Sequence, residues 1–522
     1  MPSSTAADRR ARRPRGVGAI LPGVLLAMLL AALDQTIMAP ALPTIAGELG
    51  GLGLLSTVVT AYLVAATVAM PLYGKLGDAF GRKRVMQAAI LVFLLGAALC
   101  AQADTMTELV VFRAVQGAGG GGLMIGAQAI IGEVVSPRER GRYLGLIGGA
   151  YILAAVAGPL LGGVLIDHLS WRWIFYLYLP LGVLAFAVLT ATLRLPAPPE
   201  RRPVDYGGAL ALGATVVCLV LLTSGAGTAG PWPPWATPAL VAALVLSGAG
   251  WLCTARFARD PVLPLGLFRD PAFAIPGAIG FLIGFAMFTA LSYLPAFFQI
   301  AMGTSATGSG GLLIALMVGI LSTTALSGWL ITRTGRYKPF PVIGTATAAV
   351  GMALLATLDA RSSPAAAAAI MLLLGAGIGL VMQVTMLAVQ NSVAHRDLGT
   401  ATSTVTFLRQ IGSSVGVAVM GALITDRFAE RVPATVIDRL GGDLDRLTPG
   451  FVRTLPAGLR TSVGDAFGAA LPPVFGYAVP LLALAFLLAV LLPARPLRTE
   501  AHVDIAAPEP EHAPDPATTR DA

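Results

Sequence analysis

Lysine is nearly missing from this sequence of 522 residues, which holds only Lys75, Lys83 and Lys338, and histidine occurs just at His168, His395, His502 and His512. Charge of either sign is scarce. Asp, Glu, Lys and Arg make up 12% of the chain, about half of what an ordinary soluble domain carries. Water is therefore not the main solvent. Cysteine is equally sparse: Cys100, Cys218 and Cys253 stand in or beside apolar stretches, far apart and without ligand spacing. Neither a disulfide framework nor a metal site is expected. A zinc-helix His-Glu pair and a Walker loop are both missing, and no histidine stands beside a plausible nucleophile. A membrane enzyme and an ATP-driven pump are disfavoured, and no cofactor is called for.

What the chain does hold is apolar. Hydrophobic residues make up 56% and the mean hydropathy is +0.78. Stretches of roughly 20 residues, each able to cross about 30 Å of hydrocarbon, fall near 17–44, 52–73, 84–103, 107–132, 143–166, 173–193, 206–224, 235–255, 272–299, 309–332, 338–358, 364–389, 399–425 and 474–492. An all-α polytopic membrane protein with fourteen spans is predicted. Arg9, Arg10, Arg12, Arg13 and Arg15 precede an apolar run that reaches Thr44. That run is too long for a signal h-region, so it is read as a retained first span.

Loop charge tests the count independently, because short cytoplasmic loops collect Lys and Arg. One side carries the N-terminal arginines, Lys75 to Arg84, Arg138 to Arg142, Arg194 to Arg202, Arg256 to Arg269, Arg333 to Lys338 and Arg396; the opposite short loops hold only Arg172 and Arg361. The alternation predicts both termini inside a bacterial inner membrane. It also accounts for the net charge of +8 without nucleic acid. The expected organisation is a basic N-terminus at 1–16, six helices over 17–193, two linker helices over 206–255 and six helices over 272–492. The long loop 426–473 is expected outside with short amphipathic helices, and the Pro- and Ala-rich tail 494–522 is expected to be disordered.

An internal repeat supports two bundles. Gly74, Gly81 and Arg82 between the second and third spans are echoed by Gly328, Gly335 and Arg336 between the tenth and eleventh. Parallel six-helix repeats build one large transporter fold, with the substrate site near midplane at their interface.

Four stretches carry chemistry. Asp34 lies roughly 18 Å along the first span and costs on the order of 3 kcal/mol on insertion, so it is a functional candidate facing a cavity and able to carry a proton. Arg113 and Gln116 share a helix face in the fourth span. A guanidinium stays charged there and can bias a carboxylate across from it, Asp34 being the candidate partner. The stretch Gly74, Asp78, Gly81, Arg82 and Lys83 reads as a tight turn whose acid pairs with the basic cluster. Gly149, Gly158, Pro159, Gly162 and Gly163 give the fifth span a small-residue face and a softened hydrogen-bond ladder. Gln35, Gln128, Gln383, Gln390, Asn391 and Arg409 are candidate cavity liners in apolar helices, Gln35 and Gln116 among them by place.

Together these stretches resemble the major facilitator superfamily, specifically its fourteen-helix drug:proton antiporters, over nearly the whole chain. The resemblance implies that the Gly74 to Lys83 stretch, with Gly328, Gly335 and Arg336, is a conformational latch closing the cytoplasmic side, and that the glycines of the fifth span mark an exporter. Trp171 to Tyr176 and Leu179 to Gly182 also resemble that family, though Tyr178 stands where it usually has asparagine, and interfacial anchoring is the simpler account of these aromatics. The expected function is proton-driven export of an amphipathic or hydrophobic small molecule, as in multidrug or antibiotic resistance, by a single chain that needs only lipid, protons and cargo. Export of a lipid or one specific metabolite is the alternative.

Overall fold

Backbone amides have no partner in hydrocarbon except one another, so a chain this apolar closes its hydrogen bonds within helices. The computed structural model describes residues 17–49, 55–193, 195, 205–225, 235–258, 260–304, 306–433, 435–436, 452 and 455–497. Among them no strand occurs. The elements are α1 (Val17–Leu49), α2 (Leu55–Phe80), α3 (Arg82–Ala101), α4 (Met106–Val134), α5 (Pro137–His168), α6 (Arg172–Thr192), α7 (Tyr206–Gly225), α8 (Ala236–Phe257), α9 (Pro271–Ile300), α10 (Ala306–Thr334), α11 (Pro339–Leu355), α12 (Pro364–Ser392), α13 (Leu398–Ala429), α14 (Ala457–Ala470), α15 (Pro472–Phe475) and α16 (Ala478–Leu491). Eleven described stretches are long and apolar enough to cross a membrane, α7 and α11 add shorter apolar helices, and α5 runs for 32 residues. They stand at the fourteen expected positions, and the protein is a multi-pass membrane protein.

Helix starts follow local chemistry. Thr105, Asp270 and Ser363 accept from the amides of Glu108, Ala272 and Ala366, and proline opens α5, α9, α11 and α12.

Three stretches depart from the expectation or sharpen it. The stretch Gly74 to Lys83 is not a loop: α2 continues to Phe80 and α3 begins at Arg82, leaving only Gly81 outside helix, at φ 92°. In the second copy α10 ends at Thr334 and α11 begins at Pro339, so residues 335–338 lie outside helix, with Gly335 at φ 70°. A side chain is disfavoured at both positions, which is why glycine recurs there. The loop 426–473 is partly helical. It ends α13 at Ala429, and α14 buries Val463, Phe467 and Ala470 in the second bundle, with Pro472 and Pro473 breaking the run into the last span. The tail does not come free at 494: Tyr337 donates to the Pro493 carbonyl at 2.7 Å, Asn391 to the Pro496 carbonyl at 3.2 Å, and Arg495 grips Asp270 at 2.9 Å. The N-terminal stretch 1–16, residues 437–451 and the tail from 498 lie outside the described residues.

The two bundles pack alike. In the first, α4 lies on α2 and α3, and α1 on α5 and α6; in the second, α12 lies on α10 and α11, and α9 on α13 and α16. Each has its own apolar core, one built around Phe93, Phe175 and Leu123, the other around Phe297, Leu374 and Phe475. The halves meet through α2 with α13 and α5 with α10, two contacts exchanged by the repeat. The linker helix α7 packs Leu212 and Val216 near Val68 of α2 and Phe407 of α13, while α8 leaves its apolar residues, Leu246 and Phe257 among them, exposed on the outside. Such a face suits lipid.

Candidate functional site

Asp34 stands at the middle of α1 and is completely buried. Arg113 Nη1 donates to both of its oxygens, at 2.7 and 2.9 Å, and to Gln116 Oε1 at 3.0 Å, while Gln116 Nε2 donates back to Asp34 Oδ1 at 3.0 Å. The spacing of three puts Arg113 and Gln116 on the same face of α4, as the sequence predicts. The glycines that follow have a separate use: a Cβ on Gly117 would come within 2.8 Å of Tyr62 Cα, so α2 presses directly onto α4 there. That approach brings the Tyr62 ring under the Arg113 guanidinium, 4.4 Å from its centroid.

The placement differs from the expectation in one respect. Asp34, Arg113 and Gln116 face the interior of the first bundle rather than a cavity, walled by Tyr62 of α2, Cys100 of α3 and Tyr178 of α6. Tyr178 is fully buried beside the carboxylate, so interfacial anchoring does not describe it. Nor does it describe Trp171, buried with its Nε1 donating to Glu48 at 2.8 Å; Trp173 and Tyr176 remain exposed. The hydroxyls of Tyr62 and Tyr178 are buried without a hydrogen bond of ordinary geometry. Tyrosines in mid-span, away from the interfacial belt, were the available signal for both.

A second polar group lies between the halves. Tyr151 of α5 donates to Gln35 Oε1 at 2.8 Å, and Gln35 Nε2 lies 3.7 Å from the Met124 sulfur. Arg409 of α13 lies one helical turn beyond Thr406, whose hydroxyl reaches Gln128 of the other half, and its stem lies against Gly284 of α9. Gln383 of α12 lies beside Gly148 of α5.

Toward the face with the basic loops the halves are closed. Asp78 at the end of α2 accepts from the amides of Gly399 at 3.0 Å and Thr400 at 2.7 Å, and from the Thr400 hydroxyl at 2.8 Å, capping α13 of the other half. A carboxylate at a helix N-terminus meets unpaired amides and the positive end of the dipole. The approach is close: a Cβ on Gly74 would lie 2.6 Å from Ser403 Cβ. Arg82 holds Asp78 at 2.8 Å and pairs with Glu133, and Lys83 donates to the Thr190 carbonyl, so both cations work inside the first bundle. The contact exchanged with this one by the repeat has reversed polarity, since Arg138 in the first turn of α5 donates to the carbonyls of Thr332 at 3.2 Å and Arg333 at 3.4 Å at the end of α10. Arg336 is exposed.

Several expected cavity liners belong to this closure. Gln128 accepts from Thr406 at 3.4 Å, Gln390 donates to Thr402 at 3.1 Å, and the Gln390 carbonyl accepts from the buried Arg140 at 3.4 Å. Asn391 binds the Pro496 carbonyl instead. Gln390 and Asn391 are two residues and one residue from the end of α12, too far from midplane to line a central site. In α5, Gly145, Gly148 and Gly149 face α10 and α12, whereas Gly158 lies against Thr36 of α1 within the same half. Gly162 is buried, a Cβ on Gly163 would meet open space, and the side chain of Pro159 lies outside the described residues. Gly412 to Gly416 matches the letters of a Gly-x-Ser-x-Gly elbow, but it sits in the middle of α13 without the strand-to-helix turn that the elbow requires.

A family model described as Major Facilitator Superfamily matches residues 24–417. An uncharacterized MFS-type transporter of Mycobacterium tuberculosis is 38% identical over 487 residues, covering 93% of this chain and 70% of that protein. A multidrug transporter of Bacillus subtilis is 34% identical, covering 85% of this chain and 83% of its own, and an efflux pump of Gibberella moniliformis is 32% identical, covering 94% and 90%. Among solved structures, a proton:xylose symporter superposes with a TM-score of 0.62 at 14% identity, covering 93% of this chain and 98% of its own. The human organic anion transporter MFSD10 superposes at 0.61 and 16% identity, covering 91% and 100%. At that distance the two share the fold alone.

Proposed function

This chain belongs to the major facilitator superfamily, and from that premise we propose that it exports amphipathic or hydrophobic small molecules, drug-like compounds or natural products, in exchange for protons. It is a transporter and not an enzyme. The observation that carries the reading is a carboxylate in mid-membrane held by one guanidinium, Asp34 on Arg113. An ion pair is the deprotonated form's partner, so a proton arriving on Asp34 removes its attraction for Arg113. Arg113 stays charged and cannot take the proton itself. The protonation state of one residue is thereby tied to the packing of α1 against α4.

The relatives named multidrug transporter and efflux pump support the direction. With the basic loops in the cytoplasm of a bacterial inner membrane, both termini are inside and the closed face is cytoplasmic. The conformation described is then the one that releases cargo outward and admits a proton to Asp34. Opening separates Asp78 from α13 and Arg138 from α10, and deprotonation toward the cytoplasm resets the carrier. One proton supplies about 2.3 kcal/mol per 100 mV plus about 1.4 kcal/mol per pH unit, enough for a gradient of several hundred-fold in a neutral cargo. A single chain carries the whole cycle, without a cofactor.

The test is efflux of fluorescent amphiphiles of either charge from bacteria lacking their own pumps, with and without a protonophore. Efflux that depends on the protein and stops with the protonophore is expected. Efflux that persists in uncoupled cells would overturn proton exchange, and no efflux of any dye would redirect the reading to a narrow cargo such as a lipid or one metabolite.

A further inference from the structure

The described arginines that are buried or half-buried in the helices differ in what they hold. Arg113 has Asp34 and Gln116, Arg82 has Asp78 and Glu133, and Arg140 donates to the carbonyls of Gly132, Val135 and Gln390. Arg409 has no carboxylate and no side-chain hydrogen bond among the described residues. It lies 11 residues into α13, about 17 Å from the basic face and so near midplane. It is half-buried, its stem passing Gly284 of α9, and it shares a helix face with Thr406, whose hydroxyl reaches Gln128 of the other half.

An intramembrane guanidinium is costly and faces a partner or a water-filled space. Its five donors suit a planar anion bidentately. Asp34, the acid nearest in depth, is neutralised by Arg113 inside the first bundle and is closed off from the junction. The junction at this level is therefore positive. A cationic cargo would meet an unshielded like charge.

We propose that Arg409 receives the carboxylate or sulfonate of an anionic amphiphile, whose apolar body occupies the space between the halves. This rests on the reading of the chain as a carrier with its cargo site at that junction.

The test is equilibrium binding to the purified full-length protein in lipid nanodiscs, without a proton gradient, followed by dye fluorescence. Three probes share one ring system: dansylglycine is anionic, dansylamide neutral and dansylcadaverine cationic. A charge-assisted bidentate contact predicts that dansylglycine binds roughly tenfold or more tighter than dansylcadaverine. Arg409→Gln should abolish that preference, and Arg409→Lys, which keeps the charge and loses the fork, should retain part of it. Failure of dansylglycine to bind better than dansylcadaverine overturns the proposal, as does a preference unchanged in Arg409→Gln. The wild-type comparison decides the matter even if the Gln variant does not fold. Because no transport is involved, loss of proton coupling would leave this result standing.

Discussion

Replacing Asp78 with Asn tests whether the closed face is held by the contact described. The carboxylate accepts four hydrogen bonds, Oδ1 from Gly399 and Arg82, Oδ2 from the amide and hydroxyl of Thr400. Asn keeps one acceptor oxygen and turns a donor toward the others, so two of the four are lost and the charge at the α13 N-terminus disappears. Hydrogen bonds to a charged group contribute about 1.5 to 3 kcal/mol each. In the open state water solvates either side chain, so the loss falls on the closed state, which should weaken by about 3 to 6 kcal/mol, or roughly 150- to 25,000-fold in the closed-to-open ratio. Spin labels at the exposed positions Glu139 and Thr334, on α5 and α10 at the same face, report that ratio as a distance distribution in nanodiscs. A long-distance population that grows in Asp78→Asn is expected. An unchanged distribution would refute the argument that this cap holds the halves together.

Three further outcomes follow from particular contacts. Gly74→Val places a branched side chain where Ser403 Cβ is already 2.6 Å from an added Cβ and the Gly399 carbonyl 2.7 Å; full-length protein at normal levels with no transport is expected, and wild-type transport would show that α2 and α13 need not approach so closely. Asp34→Asn and Arg113→Gln each orphan one partner of a buried pair and should destabilise by about 3 to 5 kcal/mol, with the double variant well short of the sum; additive melting shifts in detergent would contradict an energetic pair. Tyr178→Phe removes a buried hydroxyl that has no hydrogen bond of ordinary geometry, so stability measured the same way should stay within about 1 kcal/mol of wild type, and a marked loss would mean that the hydroxyl helps to hold Asp34.

The positions of the spans were legible because the constraint is local: about 30 Å of hydrocarbon must be crossed by helix, and each apolar run states its own length. The repeat was legible for a similar reason, since Gly81 and Gly335 are required by backbone geometry at one residue each. Asp34 and Arg113 were legible as costly residues, and the sequence suggested their pairing. What it did not carry was direction around each helix. Spans that are apolar on every side leave no period to show which face meets which neighbour, so Asp34 was expected in a cavity and lies inside a bundle. Tyr178 read as an interfacial anchor for the same reason, and Tyr62 and Tyr151 were not singled out. Depth was the usable signal for Gln390 and Asn391, which stand too near the end of α12 for a midplane site. The run Gly74 to Lys83 read as a loop because of its glycines, yet Asp78 and Arg82 at i, i+4 pair along the helix side and only Gly81 leaves the helix.

The most direct test of proton exchange through Asp34 uses purified protein in sealed vesicles with a pH-sensitive dye inside and a transported amphiphile added. Wild type should move protons whenever cargo crosses. Asp34→Asn should still exchange labelled for unlabelled cargo at equal concentrations while moving no protons with it. Cargo-driven proton movement that survives in Asp34→Asn would contradict the account.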